Sequence, residues 1–125
     1  MNATDLRSAI LSRSKPVVRK VGAVDGLGEV FVKVATVEER KELLRLGGVK
    51  PDSTGDVTLE EPDRFTALCI TKLAVDESGA RVWNDSDVPT VMGLSVDDSY
   101  WALMGPAAMA ALNPDKKKLE ESKGN

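Results

Sequence analysis

The sequence predicts an α+β fold: a small antiparallel β-hairpin packed with four to five helices, followed by a disordered charged tail. Three observations predict it. Glu29-Val30-Phe31-Val32-Lys33-Val34 alternates with period two and is rich in β-branched residues, the pattern of a half-buried strand. Several other stretches carry helical spacing behind residues that cap helix starts. Glycine and proline clusters separate these stretches at short intervals. Residues 1–113 read as a single domain and residues 114–125 as a flexible tail.

Thr4 to Ser14 has the spacing of a short amphipathic helix, with Leu6, Ile10 and Leu11 on one face and Thr4 or Asp5 placed to cap it. Pro16 ends it, because proline biases the residue before it away from helix. Val17, Val18 and Val21 then lead through the turn residues Asp25-Gly26-Leu27-Gly28 into the alternating run, so a hairpin is expected across residues 17–35. Thr36-Val37-Glu38-Glu39 has capping-box spacing and opens a helix to about Leu46, stopped by Gly47-Gly48. Residues 47–60 read as an exposed loop. Pro62 suits a helix first turn, and Phe65, Leu68, Cys69, Lys72 and Leu73 keep helical spacing to about Ala74. A turn follows at Asp76-Glu77-Ser78-Gly79, and Arg81-Val82-Trp83 is long enough only to add to a small sheet. Asp85 is placed to cap a short helix through Met92. Ser95-Val96-Asp97-Asp98 then repeats the capping signature before the last helix, which Pro114 closes.

The composition excludes more chemistry than it suggests. The 125 residues are 42% hydrophobic and 30% charged, an ordinary globular balance. A formal charge of -3 speaks against a nucleic-acid partner, and no apolar run approaches the roughly 20 residues that span a bilayer. Met1 to Lys15 mixes charged and apolar residues and does not read as a signal peptide. With no histidine, Ser-His-Asp and Cys-His catalysis are ruled out, and a metal site would have to be all-carboxylate.

The remaining candidates for chemistry have plainer explanations. The carboxylate pairs Glu60/Glu61, Asp76/Glu77, Asp85/Asp87 and Asp97/Asp98 all fall at expected turns or helix starts, where capping accounts for them. A carboxylate-only enzyme would need one such group desolvated in a cleft. Asp85-Ser86-Asp87 lacks the glycine of a calcium loop and runs into Pro89. Gly22, Gly26 and Gly28 are in the wrong order for a phosphate cradle and fit a hairpin turn. Cys69 sits mid-helix among apolar residues, where a buried inert thiol is expected. No catalytic residue, metal ligand or cofactor site is therefore expected.

The anomaly is Trp101-Ala102-Leu103-Met104-Gly105-Pro106-Ala107-Ala108-Met109-Ala110-Ala111-Leu112, which carries no charge on any side of its helix. A surface helix of a small domain should show a polar stripe. This one is either wrapped by the core or shared with a partner, and the partner interface is the favoured reading. Trp101, Met104, Ala108, Met109 and Leu112 are its candidate contact residues. Pro106 should kink or split the helix, because it lacks a donor and clashes one turn back.

The order of elements adds a resemblance. A short helix, the strand Glu29-Val-Phe-Val-Lys-Val-Ala, Thr36-Val-Glu-Glu-Arg and an apolar helix come first. Leu73-Ala-Val-Asp-Glu-Ser-Gly-Ala-Arg-Val-Trp-Asn-Asp-Ser-Asp-Val88 and a helix ending Ala110-Ala-Leu-Asn113 follow. This resembles the tail assembly chaperones of long-tailed bacteriophages over roughly residues 5–113. Residues 63–88 carry the most specific part: a helix, an acidic–acidic–x–Gly turn, an aromatic, then Asp-x-Asp-Val. The interruption at Gly105-Pro106 departs from the unbroken last helix expected of the family.

The resemblance implies a non-enzymatic protein of the host bacterial cytoplasm that self-associates as a homo-oligomer. It would coat the tape-measure protein, keep it soluble, help recruit tail-tube subunits and be absent from the mature virion. It also implies a longer frameshifted form, with Lys116-Lys117-Lys118 at a place where an A-rich slippery site would lie. The alternative is a small structural virion protein of the tail or the head-to-tail connector.

Overall fold

The first helix, α1, spans Ala3–Leu11, two residues after the start of the chain. The computed structural model describes residues 1–13, 15–48, 50–51, 57–58 and 61–112. Asn2 caps α1, its side chain accepting from the Asp5 N–H at 2.8 Å; neither Thr4 nor Asp5 is the cap. The helix ends three residues short of the expected Ser14, which lies outside the described residues.

The hairpin forms where the alternation places it, from β1 (Val18–Val24) and β2 (Gly28–Lys33). Its turn uses Gly26 and Gly28 at φ +83° and +80°, a region that side chains on other residues strongly disfavour. The register slips between Lys20 and Gly22, which leaves Val21 as an extra residue and bulges β1. A third strand, β5 (Ala74–Val75), pairs antiparallel with β2, giving a sheet of order β1-β2-β5. It is only two residues long and continues directly from a helix, so the sequence offers no period to detect it. Arg81 adds a single bridge to Val75, the small extension expected of residues 81–83.

Helix α2 (Val37–Leu46) opens with the expected capping box. The Glu39 N–H donates to Thr36 Oγ1 at 3.1 Å, and the Thr36 N–H donates to Glu39 Oε1 at 2.9 Å. Glu39 also pairs with Lys33 and so ties α2 to β2. Burial pushes the Glu39 carboxyl up, but Lys33 and Thr36 together hold it below the usual glutamate range. Within the segment expected to be a loop, Lys50–Pro51 (β3) and Val57–Thr58 (β4) pair antiparallel. A two-residue ladder containing a proline has no sequence signature, which is why it was not expected.

The core gathers around helix α3 (Pro62–Leu73). Phe65, Ala67, Leu68, Cys69, Ile70 and Leu73 are all buried on it, and Pro62 takes the first turn as expected. After α3 and β5, a 3-10 turn (Asp85–Asp87) leads into α4 (Val88–Met92) and then α5 (Ser99–Leu112). Two caps differ from expectation. The 3-10 turn opens on Asn84 rather than Asp85, with the Asp87 carboxylate reaching back to accept from the Asn84 N–H at 2.8 Å. Asp98, not Ser95, caps α5 by accepting from the Tyr100 N–H at 2.9 Å and the Trp101 N–H at 3.3 Å. Before α5 the chain makes one tight turn, closed by the Asp98 N–H donating to the Ser95 carbonyl at 2.9 Å, which puts Asp98 in the capping position.

Helix α5 packs against α3 and the hairpin, and the Ala35 N–H donates to the Ala111 carbonyl at 3.0 Å. Pro106 does not split it. The residue is exposed, and so is Ala102, whose carbonyl Pro106 has no N–H to meet; water can satisfy that group. The expected tail, residues 114–125, lies outside the described residues.

One close approach sets the exit of α2. A Cβ built on Gly47 would run into the Phe65 ring, whose Cδ2 and Cε2 occupy that space. Gly47→Ala is therefore expected to destabilise the fold by about 1–3 kcal/mol, as overpacking of a filled core does. Urea unfolding of the purified variant reads this directly, and an unchanged midpoint would show that Phe65 is free to move aside.

Candidate functional site

A helix without charge has to hide most of itself, and α5 does so on one side only. Met104, Gly105, Ala108, Ala111 and Leu112 are buried against the core cluster that includes Phe65, Cys69, Ile70 and Leu73. Ala102, Pro106 and Ala110 on the other side are exposed, and Trp101, Leu103, Ala107 and Met109 are half-buried. The favoured sequence reading, a helix turned outward, is therefore corrected for Met104, Ala108 and Leu112. They are interior residues of this chain. Among the sequence candidates, Trp101 and Met109 alone keep an accessible surface. The periodicity could not separate the two sides, because neither carries a polar marker.

The open side of α5 is apolar and lines a shallow depression. Trp101, Ala102, Gly105, Pro106 and Met109 form its floor, with Asp63 and Thr66 of α3 on one wall. Val96 stands at its edge, 87% exposed in the turn before α5. Sequence reasoning missed Val96 and Pro106 as surface residues. The available signal was Val96 itself, a lone β-branched residue between capping residues that makes no helical contact.

A second concavity lies against β2 and β5 of the sheet. Leu27 and Val30 of the hairpin, Val82 and Trp83, and Leu94 and Tyr100 enclose about 460 Å³ that is mostly apolar. Trp83 Nε1–H donates to the Tyr100 hydroxyl at 3.0 Å, and the two rings lie tilted at 6.2 Å between centroids. Burial raises the Tyr100 phenol above its usual range, against the lowering effect of that hydrogen bond. The lining includes three carboxylates, Glu29, Asp76 and Asp98, and no Lys or Arg.

These three carboxylates and, of the other paired acids, Asp85 and Asp87 are engaged in structure. Asp76 Oδ1 accepts from the Ser78 hydroxyl at 2.6 Å and from the Ser78 and Ala80 N–H groups at 2.8 and 3.0 Å. Hydrogen bonding, led by the Ser78 hydroxyl, holds its carboxyl below the usual range. Asp85 accepts from Arg81 at 2.8 Å, a bond that likewise lowers it, and Lys72 stands 3.7 Å away. Among the described residues no group of three or more Cys, Asp or Glu is placed to hold a metal ion. Cys69 is fully buried, and burial pushes its thiol up to about 12, far from a reactive thiolate at neutral pH. Glu60 lies outside the described residues.

The chain matches no protein-family model, no curated protein and no solved structure. Among the described residues, no helix is long and apolar enough to cross a membrane.

The two methionines of α5 should separate cleanly. Met104→Asp places a carboxylate in a filled core and is expected to cost more than about 3 kcal/mol or abolish folding. Met109→Asp, on the open side, should change the unfolding free energy by under about 1 kcal/mol. Circular dichroism and urea titration of both variants check this.

Proposed function

We propose that this protein is a non-enzymatic tail assembly chaperone of a long-tailed bacteriophage, which binds the tape-measure protein and keeps it soluble. The observation that carries the reading is the open side of α5: a helix without charge, half sunk in its own core, still presents Trp101, Pro106 and Met109 beside the exposed Val96. Exposed apolar surface of this kind marks interaction sites. A tape-measure protein, long and mostly helical in the family resembled, offers apolar helix faces that need covering. Trp and Met suit that task, since the indole supplies a large rigid contact and the thioether repacks against differing partners.

The resemblance across residues 5–113 suggests the client, and the exposed apolar residues of the depression support this reading. In this reading the protein acts in the host cytoplasm, assists the joining of tail-tube subunits to the coated tape-measure protein and is left out of the finished particle. Adaptability matters more than tight fit here, because successive client helices present different residues to one surface.

Co-expression with the tape-measure protein of the same phage tests the proposal. The expected result is a soluble complex recovered by affinity pull-down, with tape-measure protein insoluble alone and insoluble again with the Trp101→Ala/Met109→Asp variant. Finding this protein instead as a stoichiometric component of purified virions, with no effect on tape-measure solubility, would favour a structural tail or connector protein.

A further inference from the structure

Helix α1 is a nine-residue helix without a buried residue. Leu6 is 50% exposed and Ile10 57%, and their spacing of four puts both on one face. Isolated helices shorter than about 12–15 residues are marginal in water even for favourable sequences, and helical stability in proteins comes mainly from packing an apolar face. A cap at Asn2 adds about 1 kcal/mol. That leaves the apolar face of α1 without the packing that such a helix ordinarily depends on.

The groove between the hairpin tip and the start of α5 has the complementary properties. Its walls are Leu27, Val30, Val82, Trp83, Leu94 and Tyr100, and Leu27 and Val82 are each more than half exposed. Helix-in-groove recognition takes this form: an amphipathic helix lays apolar anchors spaced by three or four residues into an apolar trough. The charges agree as well. Residues 1–15 carry Arg7, Arg13 and Lys15 against the single acid Asp5. The groove is lined by Glu29, Asp76 and Asp98 with no cation among its walls, although Lys20 reaches Glu29 from outside at 2.7 Å. Opposite charges across a rim steer association and fix orientation.

We infer that α1 of one copy docks, through Leu6 and Ile10, into the groove lined by Val82, Trp83 and Tyr100 of a second copy. Within one chain the helix face and the groove are open at the same time, so the helix does not fill its own groove. The contact is heterologous: one surface of the first copy meets a different surface of the second. Exchanged in both directions it closes a dimer, and exchanged in one direction it propagates a chain of subunits. Neither surface overlaps the depression at Trp101 and Met109, so assembly leaves that face open. The inference does not depend on the identity of the client.

Light scattering on size-exclusion fractions of the full chain tests it by complementation. The wild type is expected at twice 13.4 kDa or more. Leu6→Glu/Ile10→Glu, which spoils the helix, and Leu27→Glu/Val82→Asp, which spoils the groove, should each run as 13.4 kDa monomers whose circular dichroism loses no more helix than the nine residues of α1. All four positions are at least half exposed, so both variants should fold. Mixing the two should restore a complex of twice the monomer mass, since the first retains a groove and the second a helix. A monomeric wild type overturns the inference and indicates that α1 meets its own chain, a small ligand or another protein. Two monomeric variants that do not complement overturn the pairing of helix with groove, and a variant that stays dimeric overturns it in favour of like surfaces meeting, groove to groove for the helix variant or helix to helix for the groove variant.

Discussion

The packing of α5 on α3 is the constraint on which the remainder of the structure depends. Neither helix makes a complete core alone. Helix α3 buries six apolar side chains in twelve residues, more than a single sheet can cover. Helix α5 supplies the missing wall with Met104, Ala108, Ala111 and Leu112, and its small residues let the two helices come close. The hairpin closes a further side through Val32, and α2 contributes Leu43. Losing a large buried side chain from such a core costs about 2–5 kcal/mol, a substantial part of the stability of a small domain.

Because α5 carries no charge, covering one side of it leaves the other apolar. A structural helix is thereby also a surface that attracts other apolar surfaces. In this fold the same composition that completes the core leaves an open apolar face at Trp101 and Met109, the face to which the proposed function assigns the client. The amphipathic α1 and the acidic-edged groove behave differently, since they join apolar contact to charge and so can specify orientation. One face suits varied clients, and the other pair suits a defined neighbour.

Much of the architecture was legible from local patterns. The alternation at residues 29–34, the Thr36–Glu39 capping box and Pro62 each placed an element, because each reports a requirement met within a few residues. What was not legible depends on distant contact. Ala74–Val75 becomes a strand only because β2 lies beside it, and Lys50–Pro51 only because Val57–Thr58 returns. The cap at Asp98 rather than Ser95 turned on one tight turn, which capping patterns do not resolve. For the candidate site, the sequence singled out one helix but could not tell its two sides apart. Met104 and Met109 are chemically the same residue on the same helix, and only the position of α3 makes one core and the other surface.

The measurement that tests the account most directly is the fluorescence of Trp101 during titration with tape-measure protein. Trp83 and Trp101 are the two tryptophans, so in a Trp83→Phe variant the emission reports the α5 face alone. Transfer of the half-exposed indole into an apolar interface predicts a blue shift that saturates with client. Binding that proceeds with no change in Trp101 emission would place the client elsewhere and contradict the role assigned to α5.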